Sequence, residues 1–206
     1  QEIPIPPFGE QREIVQKIEE LFSQLDAGVY GLKRAQAALK RYQASVLKAS
    51  FEGRIVPQDP NDEPVQWNFD KKKINKDFID KISILPRNWS YGIVKNLVSK
   101  PSLTGIKLLK RDYKEKGKYP VIDQGQDFIG GFTDEEMPVL CELPVIVFGD
   151  HTKVIKYLDF PFVAGADGIK VLKPKEILFP KLFYYFIQAI KLPDKGYARH
   201  YQYLAK

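Results

Sequence analysis

Between Gly9 and Phe51 the apolar residues recur with a period of seven. Ile18, Leu25, Leu32, Leu39 and Val46 hold one position of the repeat; Leu21, Gly28, Ala35, Tyr42 and Ala49 hold a second, three residues later. This is the seam of a coiled-coil helix, kept for more than four heptads. Glu19, Glu20, Lys33, Arg34, Lys40 and Arg41 lie off the seam. Pro6 and Pro7 precede the helix, and Gly53 stands where a C-terminal cap belongs. About 40 residues at a rise of about 1.5 Å give a rod of roughly 60 Å. So long a rod cannot lay its whole seam on a small domain, and the seam calls for a second helix. Packing on its own domain is the blander alternative, which the strict period of seven disfavours. Ile18, Leu21, Leu25, Leu32, Ala35, Leu39, Tyr42 and Val46 are the expected helix-pairing interface.

After Val56 the pattern changes. Residues 57–83 are polar, charged and interrupted by proline, which reads as a linker. From "ILPRNWSYGIV" (84–94) onward, short β-branched and aromatic runs alternate with Gly, Pro and Asp. "YPVID" (119–123), "LPVIVF" (143–148), "KVIKYL" (153–158), "FPFVA" (160–164) and "GIKVL" (168–172) are the expected strands. "PKLFYYFIQAI" (180–190) changes to helical spacing, with Pro180 in the first turn and Leu182, Phe183, Phe186, Ile187 and Ile190 on one face. The tail "LPDKGYARHYQYLAK" reads as loop and then a short strand. The expected class is α+β: a long coiled-coil-forming helix over 1–56, a linker over 57–83, and a mixed α/β domain with an irregular β-sheet over 84–206.

Composition narrows the function classes. One cysteine, Cys141, leaves no internal disulfide, and no Cys/His cluster suggests zinc. A reducing, cytoplasmic location is the default expectation. No apolar run reaches about 18 residues, so no membrane span is expected. The start has neither the order of a signal peptide nor a Met, and reads as a processed or fragmentary end. Net charge is +6. Residues 1–56 hold 8 Lys+Arg against 7 Asp+Glu, a balance of +1; the rest holds 24 against 19, a balance of +5. The excess in the second part suits a polyanion.

Catalytic signatures are missing: no GxSxG, P-loop, HExxH or dinucleotide fingerprint stands in the chain. Cys141 has no His partner near it, and Asp112-Tyr-Lys114 has the Asp-x-Lys form of some nucleases without the upstream Pro-Asp element. Three stretches carry binding chemistry. In "FGDHTKVIKY" (148–157), Asp150, His151, Thr152 and Lys153 offer acceptor, donor, hydroxyl and cation after the turn-permitting Gly149. They suit base edges or phosphates, or else a polar hairpin turn. Between Lys95 and Lys118 eight basic residues face only Asp112 and Glu115. Lys107, Lys110, Arg111, Lys114 and Lys118 among them are candidate phosphate anchors, or a solvated loop. "KGYARHYQY" (195–203) interleaves Arg199, His200 and Gln202 with tyrosines that either stack on a ligand or finish a core.

Together these pieces resemble a known family. "IPIPPFGEQREIVQKIEELFSQLDAGV" and "LKRAQAALKRYQASVLKASFEGRIVPQDPNDEP" resemble the spacer helix of type I restriction–modification specificity subunits. "YPVIDQGQDFIGGFTDE", "LPVIVFGDHTK", "FPFVAGADGIKVL" and "YARHYQYL" resemble one of that family's target recognition domains. The resemblance implies a non-catalytic subunit that reads double-stranded DNA. In that family two recognition domains, set apart by two long antiparallel helices, each read half of a bipartite site. Methyltransferase subunits using S-adenosylmethionine dock on it, as do restriction subunits using ATP and Mg; this chain itself would hold no cofactor. Only one helix and one domain are present here. The other half is expected from a second copy or from the missing part of a longer chain, cut or permuted. Gln124, Gln126, Asp150, His151, Thr152, Lys153, Lys170, Arg199, His200 and Gln202 are the expected residues at or near the bases, with the lysines above on phosphates. A stand-alone DNA-acting enzyme and a coiled-coil protein with a protein-binding β domain remain the alternatives.

Overall fold

The structure is a computed structural model, and it describes residues 2–67, 85–101, 108–135, 139–140, 142–165 and 168–205. Expectations placed on Lys107 and Cys141 lie outside the described residues. The chain divides into two units, Gln1–Val46 and Leu47–Lys206.

Helix α1 runs Phe8–Phe51, 44 residues. At its start Gln11 reaches back, its backbone N–H donating to Pro7 O (3.1 Å) and its side-chain amide to Pro6 O (2.8 Å). The first is the opening i→i−4 bond of the helix, and the second ties the Pro6 carbonyl to its first turns. At its end Gly53 takes φ 65°, its N–H donates to Ser50 O (3.1 Å), and Arg54 N–H donates to Ala49 O (2.9 Å). That pair of bonds is a Schellman cap, which needs a left-handed residue and so a glycine. No residue of α1 is buried; Leu25 is 63% and Leu32 73% exposed. The periodic seam is therefore in place and uncovered.

The second unit is built on two four-stranded sheets. After the short helix α2 (Val94–Leu97) come β1 (Val98–Ser99), a 3-10 turn (Lys110–Asp112), β2 (Tyr119–Ile122), β3 (Gly131–Thr133), β4 (Val139–Leu140), β5 (Val145–Gly149), β6 (Ile155–Leu158), β7 (Phe162–Ala164) and β8 (Ile169–Pro174). Helices α3 (Pro180–Ala189) and α4 (Tyr201–Leu204) follow. The first sheet has the order β1-β8-β5-β6 and is antiparallel throughout. The second has the order β3-β2-β7-β4, with β2 and β7 parallel.

Strand β5 explains the layering. Its five residues are all buried, because the strand is covered on both faces. Val145 and Val147 pack with Ile122, Leu158, Phe162, Ile169 and Val171. Ile146 and Phe148 point the other way, to Leu172, Phe183, Ile187, Tyr201 and Leu204. So one face of the first sheet meets residues of the second sheet, and the other meets α3 and α4.

The expected strands and the α3 helix are found within a few residues. Three differences have physical reasons. The expected irregular sheet separates into two sheets, because β2 and β7 pair with each other and not with β5. Residues 153–154 belong to a turn and not to a strand, since Lys153 adopts φ 62°. The tail ends in the helix α4 and not in a strand, since Leu204 and Ala205 N–H groups bond back to His200 and Tyr201 carbonyls.

Candidate nucleic-acid interface

The hairpin β5–β6 ends in a tight turn. Gly149 N–H donates to Val154 O (2.8 Å) and Lys153 N–H to Gly149 O (2.9 Å), leaving Asp150-His-Thr152 at the tip. The polar-hairpin alternative is therefore part of the answer. What distinguishes this turn is how many other segments are bonded to it.

The loop after β2 is held first. Thr152 Oγ1 donates to Gln124 O (2.7 Å), and His151 N–H donates to Gln124 Oε1 (3.3 Å). Lys156, inside the hairpin on β6, donates Nζ to Asp123 O (2.8 Å) and lies 3.7 Å from Asp123 Oδ1. Lys156 is 3% exposed. Burial lowers its pKa from the usual lysine value, opposed by the Asp123 charge. The β7–β8 connection is held next: Asp150 N–H donates to Gly168 O (2.6 Å). Gly168 has φ 96°, and a Cβ there would run into the Gln124 amide.

The C-terminal segment closes the group. His200 N–H donates to Asp150 O (2.7 Å), and Tyr201 N–H donates to Asp150 Oδ1 (2.8 Å). His151 Nδ1 lies 3.2 Å from Ala198 O, and its ring stacks on Tyr197 at 4.4 Å with 4° between planes. Lys153 Nζ is 3.4 Å from Asp194 Oδ1, and that hydrogen bond holds the Asp194 carboxyl below its usual range.

The structure therefore brings together Gln124, Asp150, His151, Thr152, Lys153 and His200, with Lys170 Nζ 3.8 Å from Asp150 Oδ2. Their roles divide by burial. Asp150 (3% exposed) is bonded internally and His200 is fully buried, its Nε2 3.1 Å from Gly196 O, so both lie beneath the surface and not among the exposed groups expected at or near the bases. Gln126, Thr152, Arg199 and Gln202 are exposed, and so is Tyr197 at 86%. The three tyrosines of the tail split: Tyr197 is outside, Tyr203 is half-buried, and Tyr201 joins the core, where burial and then the Asp150 charge push its phenol pKa up. Lys110, Arg111, Lys114 and Lys118 are all exposed around the 3-10 turn and the strand that follows. Lys114 Nζ pairs with Asp134 Oδ2 (3.0 Å) and is the main reason that carboxyl sits below its usual range; Lys118 N–H, donating to Asp134 Oδ1 (2.8 Å), adds to it.

The sequence reading missed Lys156 and Asp123. One signal was present: in "IKYL" Lys156 shares strand parity with the buried Leu158, which puts it on a covered face. Among the described residues no group of three or more His, Cys, Asp or Glu could hold a metal ion, and no helix is long and apolar enough to cross a membrane.

No family model matches the chain. Three specificity subunits of type I restriction enzymes from Escherichia coli are similar to parts of it. The EcoBI subunit is 32% identical over 98 residues, 47% of this chain and 19% of the relative. The EcoKI subunit, from strain K12, is 32% identical over 104 residues, 50% and 20%. The EcoR124I/EcoR124II subunit is 34% identical over 64 residues, 30% and 16%. The chain thus spans a fifth or less of the length of these relatives. Two solved structures are looser likenesses. An HsdS subunit from Thermoanaerobacter tengcongensis gives a TM-score of 0.40 at 17% identity, covering 96% of this chain and 46% of that one. A chain from a structure on complex assembly and conformational transition of the type I R-M system gives 0.47 at 17% identity, covering 91% and 42%. Over about half of its sequence, then, the chain is similar to specificity subunits of type I restriction enzymes.

Proposed function

We propose that this chain is a non-catalytic DNA-recognition module of a type I restriction–modification complex, reading one half of a bipartite site in double-stranded DNA. The observation that carries the proposal is the joining of four segments at the β5–β6 turn. Those segments, or residues directly adjoining the bonded ones, carry the exposed Gln126, Thr152, Arg199 and Gln202. Amide and guanidinium groups held on a stiff frame are what base-edge readout requires. Lys110, Arg111, Lys114 and Lys118 anchor phosphates on this reading, with Lys153 and Lys170 completing the positive rim. Residues 1–56 act as the spacer helix, 57–83 as the linker and 84–206 as the recognition domain.

The remaining parts of the complex are read from the same kinship. Methyltransferase and restriction subunits dock on the chain and bring S-adenosylmethionine, ATP and Mg, and the assembly works in the cytoplasm. The second recognition half comes from a second copy, paired through the seam of α1, or from the rest of a longer chain. A helix of 44 residues is about 66 Å long, enough to separate two readers by more than the ~34 Å between successive major-groove faces.

A gel-shift titration over a range of salt tests the DNA reading against a protein-binding one. Binding to duplex DNA should weaken steeply as salt rises, because phosphate contacts release counterions. No shift at low salt, or a shift indifferent to salt, contradicts it.

A further inference from the structure

We infer that Asp150 is a positioning residue for DNA specificity: it clamps the C-terminal segment, with Arg199 and Gln202, onto the β5–β6 turn, and does not itself touch a base. The DNA arm of this inference rests on the function proposed above.

The geometry is specific. Asp150 sits at the tip of a polar turn, where side chains normally face water, yet its side chain is 5% exposed. Every polar group it owns is directed inward. Its N–H donates to Gly168 O, its carbonyl accepts from His200 N–H, and Oδ1 accepts from Tyr201 N–H. Oδ2 faces Lys170 Nζ at 3.8 Å. The two amides captured, His200 and Tyr201, are consecutive and stand at the start of α4. The His200 side chain does not cap that helix, and the carboxylate of Asp150 takes the capping role from 51 residues away.

The consequence falls on the residues next to the captured amides. Arg199 precedes His200, and Gln202 follows Tyr201. Both are exposed, and both belong to a segment also tied to the turn by the His151 contact with Ala198 and Tyr197 and by the Lys153–Asp194 pair. Two bonds from one buried carboxylate-bearing residue thus fix the direction in which an arginine and a glutamine leave the surface. Bidentate readout fails when its donors are misplaced by about an ångström.

The test compares Asp150→Ala with Asp150→Asn in the full chain. Asparagine keeps the Oδ1 acceptor for Tyr201 N–H; alanine does not. The first readout needs no DNA. Amide exchange at Tyr201 should speed up about tenfold or more in Asp150→Ala and stay near wild type in Asp150→Asn. The second readout uses the duplex recovered by selection from random sequence, together with single-base-substituted versions. Discrimination between them should fall about tenfold or more in Asp150→Ala, with affinity for unrelated duplex and its salt slope kept, and should return in Asp150→Asn.

Wild-type discrimination in Asp150→Ala overturns the inference. So does an Asp150→Asn variant with protected Tyr201 but lost discrimination, since the carboxylate would then be reading a base. If Asp150→Ala unfolds, Asp150→Asn decides alone; global unfolding of both overturns the inference, because Asp150 would be holding the domain and not the segment. If no duplex is selected at all, the proposed function fails, while the exchange readout still judges the clamp.

Discussion

Arg199 and Lys156 show the two fates of a cation in this domain. Arg199 is exposed beside two captured backbone amides. Removing its guanidinium should cost the specific duplex about 1–3 kcal/mol and relax preference at one base position. Competition binding of Arg199→Ala against single-base-substituted duplexes checks this, and a uniform loss at all positions would reassign Arg199 to a phosphate. Lys156 is buried against Asp123, and its folded pKa lies below the usual value of 10.5. Between the two values the unfolded state binds more protons, so stability rises with pH through that window. Lys156→Met lacks the titrating group and lacks the rise. Denaturation curves at neutral pH and at about pH 10 should therefore show wild type gaining on the variant at the higher pH. An unchanged gap contradicts the assignment. Sequence chemistry alone could not sort such residues. Asp150 and His200 have the right groups for base contacts, and only the structure shows that both side chains are buried. Gln126 and Arg199 carry the same kind of signal and are exposed on the surface.

Elements were legible where a period ran long enough. The seven-residue repeat gave α1 to within a residue at its start, and Gly53 marked its cap. β5 and α3 followed from apolar runs bounded by turn residues. Short elements escaped: β1 and β4 have two residues each, and α4 has four. No period exists at that length. α4 depends on a capping bond from residue 150, a contact that no local pattern encodes. The uncovered seam of α1 carries the prediction at this scale. Its leucines are exposed where the repeat calls for a partner helix. Light scattering at micromolar concentration should give a dimer for the wild-type chain and a monomer for the Leu25→Glu, Leu32→Glu double variant. A wild-type monomer would mean that the second helix belongs to a longer chain, not to a second copy.

At the scale of the molecule, the chain joins a 44-residue helix with an exposed apolar repeat to a domain in which several segments are bonded to one turn. Among the described residues no group of three or more His, Cys, Asp or Glu could hold a metal ion, and similarity to the specificity subunits covers about half of the sequence. Recognition of one half-site is the central claim. Selection from random duplexes by the full chain, in the presence of a methyltransferase subunit, tests it most directly. The account predicts a motif of two short specific blocks at a fixed separation, both altered by Arg199→Ala because paired copies carry the same reader, and the spacing untouched. Recovery of no motif, or of one unaffected by substitutions at the β5–β6 turn and the C-terminal segment, would contradict it.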